Sequence, residues 1–156
     1  MLYVYLDLSI FNEEYWFELD DDCYARRQMI VNKSTNDYVI SCRDDCLAEG
    51  IIKLEELEGN KLLISKYCFE NKWTDLKKRY EKEWFNTKKD YCLGDKFEGK
   101  CLYSNNNGWI VASDNYIGVY NGKLQKKLHA GDMIESYVIG YDEDNMMLIL
   151  SEKGDR

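Results

Sequence analysis

The side chains of Phe69, Trp73, Leu76, Tyr80 and Trp84 follow one another at spacings of four, three, four and four residues, which lays them in one apolar stripe along a helix. Ser65 stands just before the stripe, where its hydroxyl can cap the first free backbone N–H groups. The spacing predicts a single helix over about 66–87. On both sides of it the apolar period falls to two, so the helix separates two strand-rich stretches.

The first stretch opens with Leu2, Val4, Leu6, Leu8 and Ile10 alternating with Tyr3, Tyr5, Asp7 and Ser9, the pattern of a half-buried strand. Further strands are expected at Tyr15–Leu19, Ala25–Val31 and Tyr38–Cys42, joined by polar turns at Asn12-Glu13-Glu14, Asp20-Asp21-Asp22 and residues 32–37. Together they predict an antiparallel meander. Residues 43–59 read as a short helix or an irregular segment, with a last short strand at Lys61–Ile64. Beyond the helix, strands are expected at Lys96–Tyr103, Gly108–Ala112, Tyr116–Tyr120, Met133–Tyr141 and Met146–Leu150. Five short strands in about 60 residues suggest a small barrel. The expected organisation is therefore an α+β domain over residues 1–90, an antiparallel sheet plus the long helix, followed by an all-β five-stranded barrel over 91–156.

A chain of 156 residues with 45% hydrophobic and 14% aromatic residues has ample material for two small cores. With 21 basic and 29 acidic side chains the net charge is −8, a field that repels phosphate over most of the surface. The charge is uneven. Residues 1–65 hold 6 basic and 14 acidic groups, 66–90 hold 8 and 5, and 91–156 hold 7 and 10, for nets of −8, +3 and −3. No apolar run approaches a membrane span, and the opening residues lack a basic, cleavable leader, so a cytoplasmic protein without membrane contact is expected. In that compartment the six cysteines are reduced thiols packed as small hydrophobes.

The run Leu93-Gly94-Asp95-Lys96-Phe97-Glu98-Gly99-Lys100, followed by Gly108-Trp109-Ile110-Val111, Ile117-Gly118-Val119, Ala130-Gly131-Asp132-Met133-Ile134 and Leu148-Ile149-Leu150-Ser151, resembles the S1 RNA-binding domain. That family has an OB fold, and the likeness covers about two fifths of the chain. It implies a five-stranded S1-like OB barrel that binds single-stranded RNA through exposed aromatics on its second and third strands. At the position of the family's ring this sequence has Ile110, with Trp109 displaced by one residue, which on a strand points to the opposite face. Asn107 stands before the glycine, Tyr120-Asn121 replaces the histidine-containing stretch, Asp142 matches a frequent aspartate, and Met146 or Met147 falls where an arginine is common.

Bases stack on exposed rings and lysines contact phosphates, so Tyr103, Trp109, Tyr116 and Tyr120 with Lys100 and Lys123 form the candidate nucleic-acid face. The same rings would serve equally as barrel wall. The helix could extend the face through Lys77 and Lys78, together with Arg79 and Lys82, or carry them as a solvated surface over a stripe that docks both halves. Cys42 and Cys46 with Cys23 lack a second ligand pair, and His129 sits in a turn, so neither a metal site nor a catalytic pair is expected. Asp20–Asp22 and Asp44-Asp45 with Glu49 read as solvated turns. The residues carry no enzyme signature and imply no cofactor. The function expected is a non-catalytic, RNA-binding cytoplasmic adaptor whose acidic N-terminal domain takes a protein partner. The alternative is an acidic protein-binding module, such as a toxin-neutralising immunity-type protein, built on an OB scaffold that no longer binds RNA.

Overall fold

The computed structural model describes residues 1–152. The chain divides into two compact units, one ending at Arg79 and the other beginning at Tyr80. The first is a five-stranded antiparallel sheet in the order β4-β3-β2-β1-β5, formed by β1 (Leu2–Leu8), β2 (Glu13–Leu19), β3 (Ala25–Asn32), β4 (Tyr38–Ile40) and β5 (Asn60–Leu63). The first four strands are the expected meander, and β5 returns to pair with β1. Residues 41–58 hold no α-helix; the segment is irregular apart from a 3-10 turn at Leu54–Glu56.

Period-two patterning gives this sheet two buried faces. Val4, Leu6, Phe17, Leu19 and Ala25 point to one face and pack beneath Leu47 and Ile52 of the irregular segment. Its other face carries α1 (Lys66–Lys77), which Ser65 caps by accepting the Cys68 N–H at 3.1 Å. Phe69, Trp73 and Leu76 are the buried stripe of α1.

A charged group lies between that stripe and the sheet. Tyr3, Glu18 and Arg27 stand side by side across β1, β2 and β3. The Tyr3 hydroxyl donates to Glu18 at 3.0 Å, the Arg27 Nε donates to Glu18 at 2.5 Å, and the two Arg27 Nη groups grip Glu70 of α1 at 2.5 and 3.1 Å. The guanidinium also lies over the rings of Phe69 and Trp73, 5.0 and 5.2 Å from their centroids. Burial alone would lower the guanidinium's pKa, but the bonds to Glu18 and Glu70 raise it instead. The same bonds hold the Glu70 carboxyl below its usual range.

The expected helix over 66–87 is interrupted. After α1 comes a 3-10 turn at Lys78–Tyr80, and then α2 (Glu81–Asp90). In unit 1 the Tyr38 hydroxyl donates to the Leu76 carbonyl at 2.8 Å, the acceptor that a continuous helix would offer to residue 80. The stripe is thus divided: Phe69, Trp73 and Leu76 are buried in the first unit, Trp84 in the second. The break also places the limit between units at Arg79 instead of near residue 90, and α2 belongs with the barrel.

The second unit closes β6 (Lys96–Asn105), β7 (Gly108–Ser113), β8 (Tyr116–Tyr120), β9 (Met133–Asp142) and β10 (Met147–Ser151) into a five-stranded barrel in the order β10-β8-β7-β6-β9. All neighbours are antiparallel except β8 and β10, which run parallel. This closed barrel is compatible with an OB-like fold. Within the unit α2 is held to β9 and the turn after it: the Trp84 ring meets Tyr141 edge-on at 6.1 Å, and the Trp84 indole N–H and Lys88 Nζ both donate to Glu143. Among the described residues no helix is long and apolar enough to cross a membrane.

Removing Arg27 strands Glu18 in the interior, so Arg27→Ala is expected to cost about 3–5 kcal/mol in urea unfolding of the N-terminal unit. Because the folded state lowers the Glu70 pKa, its stabilisation is complete above the ordinary value of about 4.3 and disappears as pH falls through the lower folded one. Denaturation midpoints measured from pH 7 to pH 3 should therefore fall less steeply in Glu70→Gln than in the parent.

Candidate nucleic-acid interface

The barrel wall is read most directly on β6. Phe97, Gly99 and Cys101 are buried and point inward, while Lys96, Glu98 and Lys100 are exposed and point outward. Gly99 is there because the strands come close: a Cβ would strike the Ala112 carbonyl at 2.7 Å and the Val111 side chain at 2.9 Å. The alternation then breaks. The pairing with β7 passes from Cys101 opposite Val111 to Tyr103 opposite Ile110, leaving Leu102 as the extra residue of a β-bulge. Without the bulge Tyr103 would share the inward phase of Cys101. With it, Tyr103 and Lys100 share the outward face.

The register carries the same assignment around the wall. Lys100 lies opposite Ala112, which lies opposite Ile117; Ile110 lies opposite Val119, which lies beside Ile149 of β10. Ile110, Val119 and Met147 therefore line the outside, and with Tyr103 and Ile117 they form an apolar cluster of their own. Val111, Gly118, Tyr120, Leu148 and Leu150 fill the inside. Ile110, at the ring position of the S1 likeness, is only 2% exposed, and Tyr103 packs against it.

The six barrel residues expected to meet nucleic acid do not form one face. Tyr120 is 1% exposed inside the barrel, because the phase of β8 that buries Gly118 buries it too; it cannot stack on a base. Trp109 lies opposite Tyr120, on the inward phase that its one-residue displacement implies, half-buried with its indole N–H donated to the Gln125 carbonyl at 2.7 Å. Tyr116 is four residues away along the β7–β8 ladder, opposite Ser113, a separation of about 13 Å. Its hydroxyl donates to Asp90 at 2.8 Å, which raises the phenol's pKa, and its ring meets Tyr91 edge-on. Lys123 is exposed at the start of the 3-10 turn Lys123–Lys127. Lys77 and Lys78 belong to the first unit, where Lys78 pairs with Asp75 at 3.1 Å. Within the barrel Trp109 and Tyr120 pair on the inward phase, and Lys100 and Tyr103 share the outward one. No spacing along β6 marks the bulge, because it is set by the register of β6 against β7.

Burial pushes the Cys42 and Cys46 thiols up to about 12, so both stay protonated at neutral pH. His129 is exposed in the loop before β9. Asp20 accepts the N–H groups of Tyr24 and Asp22 and pairs with Arg26, contacts that lower its pKa. Among the described residues no three His, Cys, Asp or Glu side chains gather as a metal-holding group.

No family model and no curated protein matches this sequence. Among solved structures, the chain is similar to a multidomain protein with nucleic acid binding domains from Streptococcus pneumoniae, at 11% identity and a TM-score of 0.32. That match covers 100% of this chain and 52% of the other, so this chain spans about half its length.

Since the Trp109 indole is tied to Gln125 within the barrel unit, Trp109→Phe keeps an aromatic ring but loses that bond. It is expected to cost about 0.5–1.5 kcal/mol in chemical denaturation.

Proposed function

We propose that this protein is a non-catalytic, cytoplasmic RNA-binding adaptor, and that it takes single-stranded RNA on the outward wall of its barrel at Lys100 and Tyr103. The observation that carries the reading is the bulge after Cys101, which turns Tyr103 outward onto Ile110 and beside the lane of Lys100. The S1 likeness implies a ring at position 110; here the neighbouring strand offers one at the same place on the wall. A base can stack on the open part of the Tyr103 ring while Lys100 meets a phosphate. With a net charge of −8 the rest of the surface opposes the ligand, so the affinity is modest and strongly dependent on salt.

Fluorescence anisotropy of a labelled single-stranded RNA of mixed sequence, titrated at two salt concentrations, tests this. Micromolar binding that weakens with salt is expected. Tyr103→Ala should weaken it by about 1–3 kcal/mol, and Lys100→Ala should lower the slope of log affinity against log salt by about 0.7. Absence of binding at low salt, or full affinity in a folded Tyr103→Ala variant, would exclude this wall as the RNA site.

A further inference from the structure

The N-terminal sheet closes one of its edges with its own chain. There the Ile40 N–H of β4 donates to the Asp44 carboxylate at 2.9 Å, and the Ile40 carbonyl accepts the N–H groups of Arg43 and Asp44. At the opposite edge β5 pairs with β1 alone. The Ile64 N–H donates to the Tyr3 carbonyl at 3.0 Å, so by antiparallel alternation residues 60 and 62 also turn their backbone groups toward β1. Lys61 and Leu63 direct theirs outward, away from the sheet.

Leu62 and Leu63 are 60% and 69% exposed, Leu62 on the face of Tyr5 and Leu63 on that of Val4. A lysine on an edge strand commonly blocks a further strand with its charge. Here the Lys61 ammonium is turned aside, donating to the carbonyls of Leu54 and Leu57 at 2.9 and 2.6 Å, and only its aliphatic stem remains at the edge. Glu58 precedes the strand and Lys66 follows it; both are exposed, and among the described residues neither makes an ion pair within the chain. The four residues of β5 keep them about 13 Å of strand apart, so they cannot pair with each other in one chain.

This edge is complementary to itself. When two β5 strands run antiparallel about a two-fold axis through Leu62, Lys61 of each copy lies opposite Leu63 of the other, and their outward N–H and C=O groups complete the ladder. The two Leu62 side chains meet on the face of Tyr5, and on the other face each Leu63 lies against the Lys61 stem of the second copy. The same register brings Glu58 of each copy opposite Lys66 of the other, so the charges at both ends of the strand are neutralised. A parallel pair would instead set Glu58 beside Glu58 and Lys66 beside Lys66. The net −8 of residues 1–65 opposes association at low ionic strength, but screening over about 8 Å at physiological salt leaves the charges at the seam to decide. We propose that the outer edge of β5 is a self-association site, at which two copies of this chain join antiparallel about Leu62 into one continuous sheet, with Glu58 and Lys66 paired across the seam. This site is separate from the RNA site on the barrel and does not depend on it.

Sedimentation equilibrium of the full chain at about 0.15 M salt tests this, and a reversible equilibrium between monomer and dimer is expected. Leu63→Pro removes an outward N–H that bonds nothing within the sheet, so it should weaken dimerisation at least about tenfold with little change in thermal unfolding. Glu58→Lys and Lys66→Glu each set like charges against one another at both ends of the seam, and each alone should weaken dimerisation at least about tenfold. In an equimolar mixture of these two variants every charge meets its opposite on the other chain, so the mixture should dimerise as the parent does. That rescue requires antiparallel pairing, and it remains readable should the proline variant fail to fold. A parent that stays monomeric up to about 1 mM, single charge variants as associated as the parent, or a mixture no more associated than its components would overturn the proposal.

Discussion

A strand at the border of a sheet has backbone N–H and C=O groups that must be bonded, shielded or left to water, and the architecture of both units follows from how that demand is met. In the barrel it is met by closure. Strand β10 pairs with β9 on one side and, in parallel, with β8 on the other, so the ring of five has no edge. Closure fixes which residues face in and which face out, and it leaves the outer wall as the surface where a ligand can be met. In the N-terminal sheet the ring is not closed. One border is capped by its own chain at Asp44, and the other is left at β5.

The interior of the N-terminal sheet shows a second constraint, that of a charge held out of water. Arg27 is nearly inaccessible, yet its guanidinium is fully engaged by Glu18, Glu70 and two aromatic faces. Such a cluster adds less net stability than an apolar core of equal volume, but it is costly to break from one side. Its geometry is directional, and it specifies where α1 lies on the sheet: Glu70 must reach Arg27, and Phe69 and Trp73 must flank it. An all-apolar stripe would permit the helix to slide.

The bulge in β6 shows how a single residue can relocate a site. On an unbroken strand, Lys100 and Tyr103 stand on opposite faces, since their spacing is odd. One extra residue, Leu102, restores them to the same face and sets Tyr103 against Ile110. The aromatic side chains that composition suggests as one surface are in fact distributed among the interior (Tyr120), the end of the barrel near Gln125 (Trp109), the contact with Asp90 (Tyr116) and the outer wall (Tyr103).

Local patterning was enough to read the meander, the five later strands, the capped helix start at Ser65 and the succession of a sheet-and-helix unit by a small barrel, because periods of two and 3.6 residues are imposed by backbone geometry and are written directly in the order of side chains. Three things were not legible. The helix break at Lys78–Tyr80 carries no proline or glycine; it coincides with the Leu76 carbonyl's bond to Tyr38, a residue 38 positions away. The ion cluster around Arg27 joins residues from three strands and a helix, which no spacing along the chain reveals. The bulge depends on how β6 registers against β7, and a shift of one residue reverses inside and outside. The sequence by itself determined which segments become strands or helix; the tertiary structure decided which faces are covered, because burial, register and hydrogen-bond closure are properties of segments brought together.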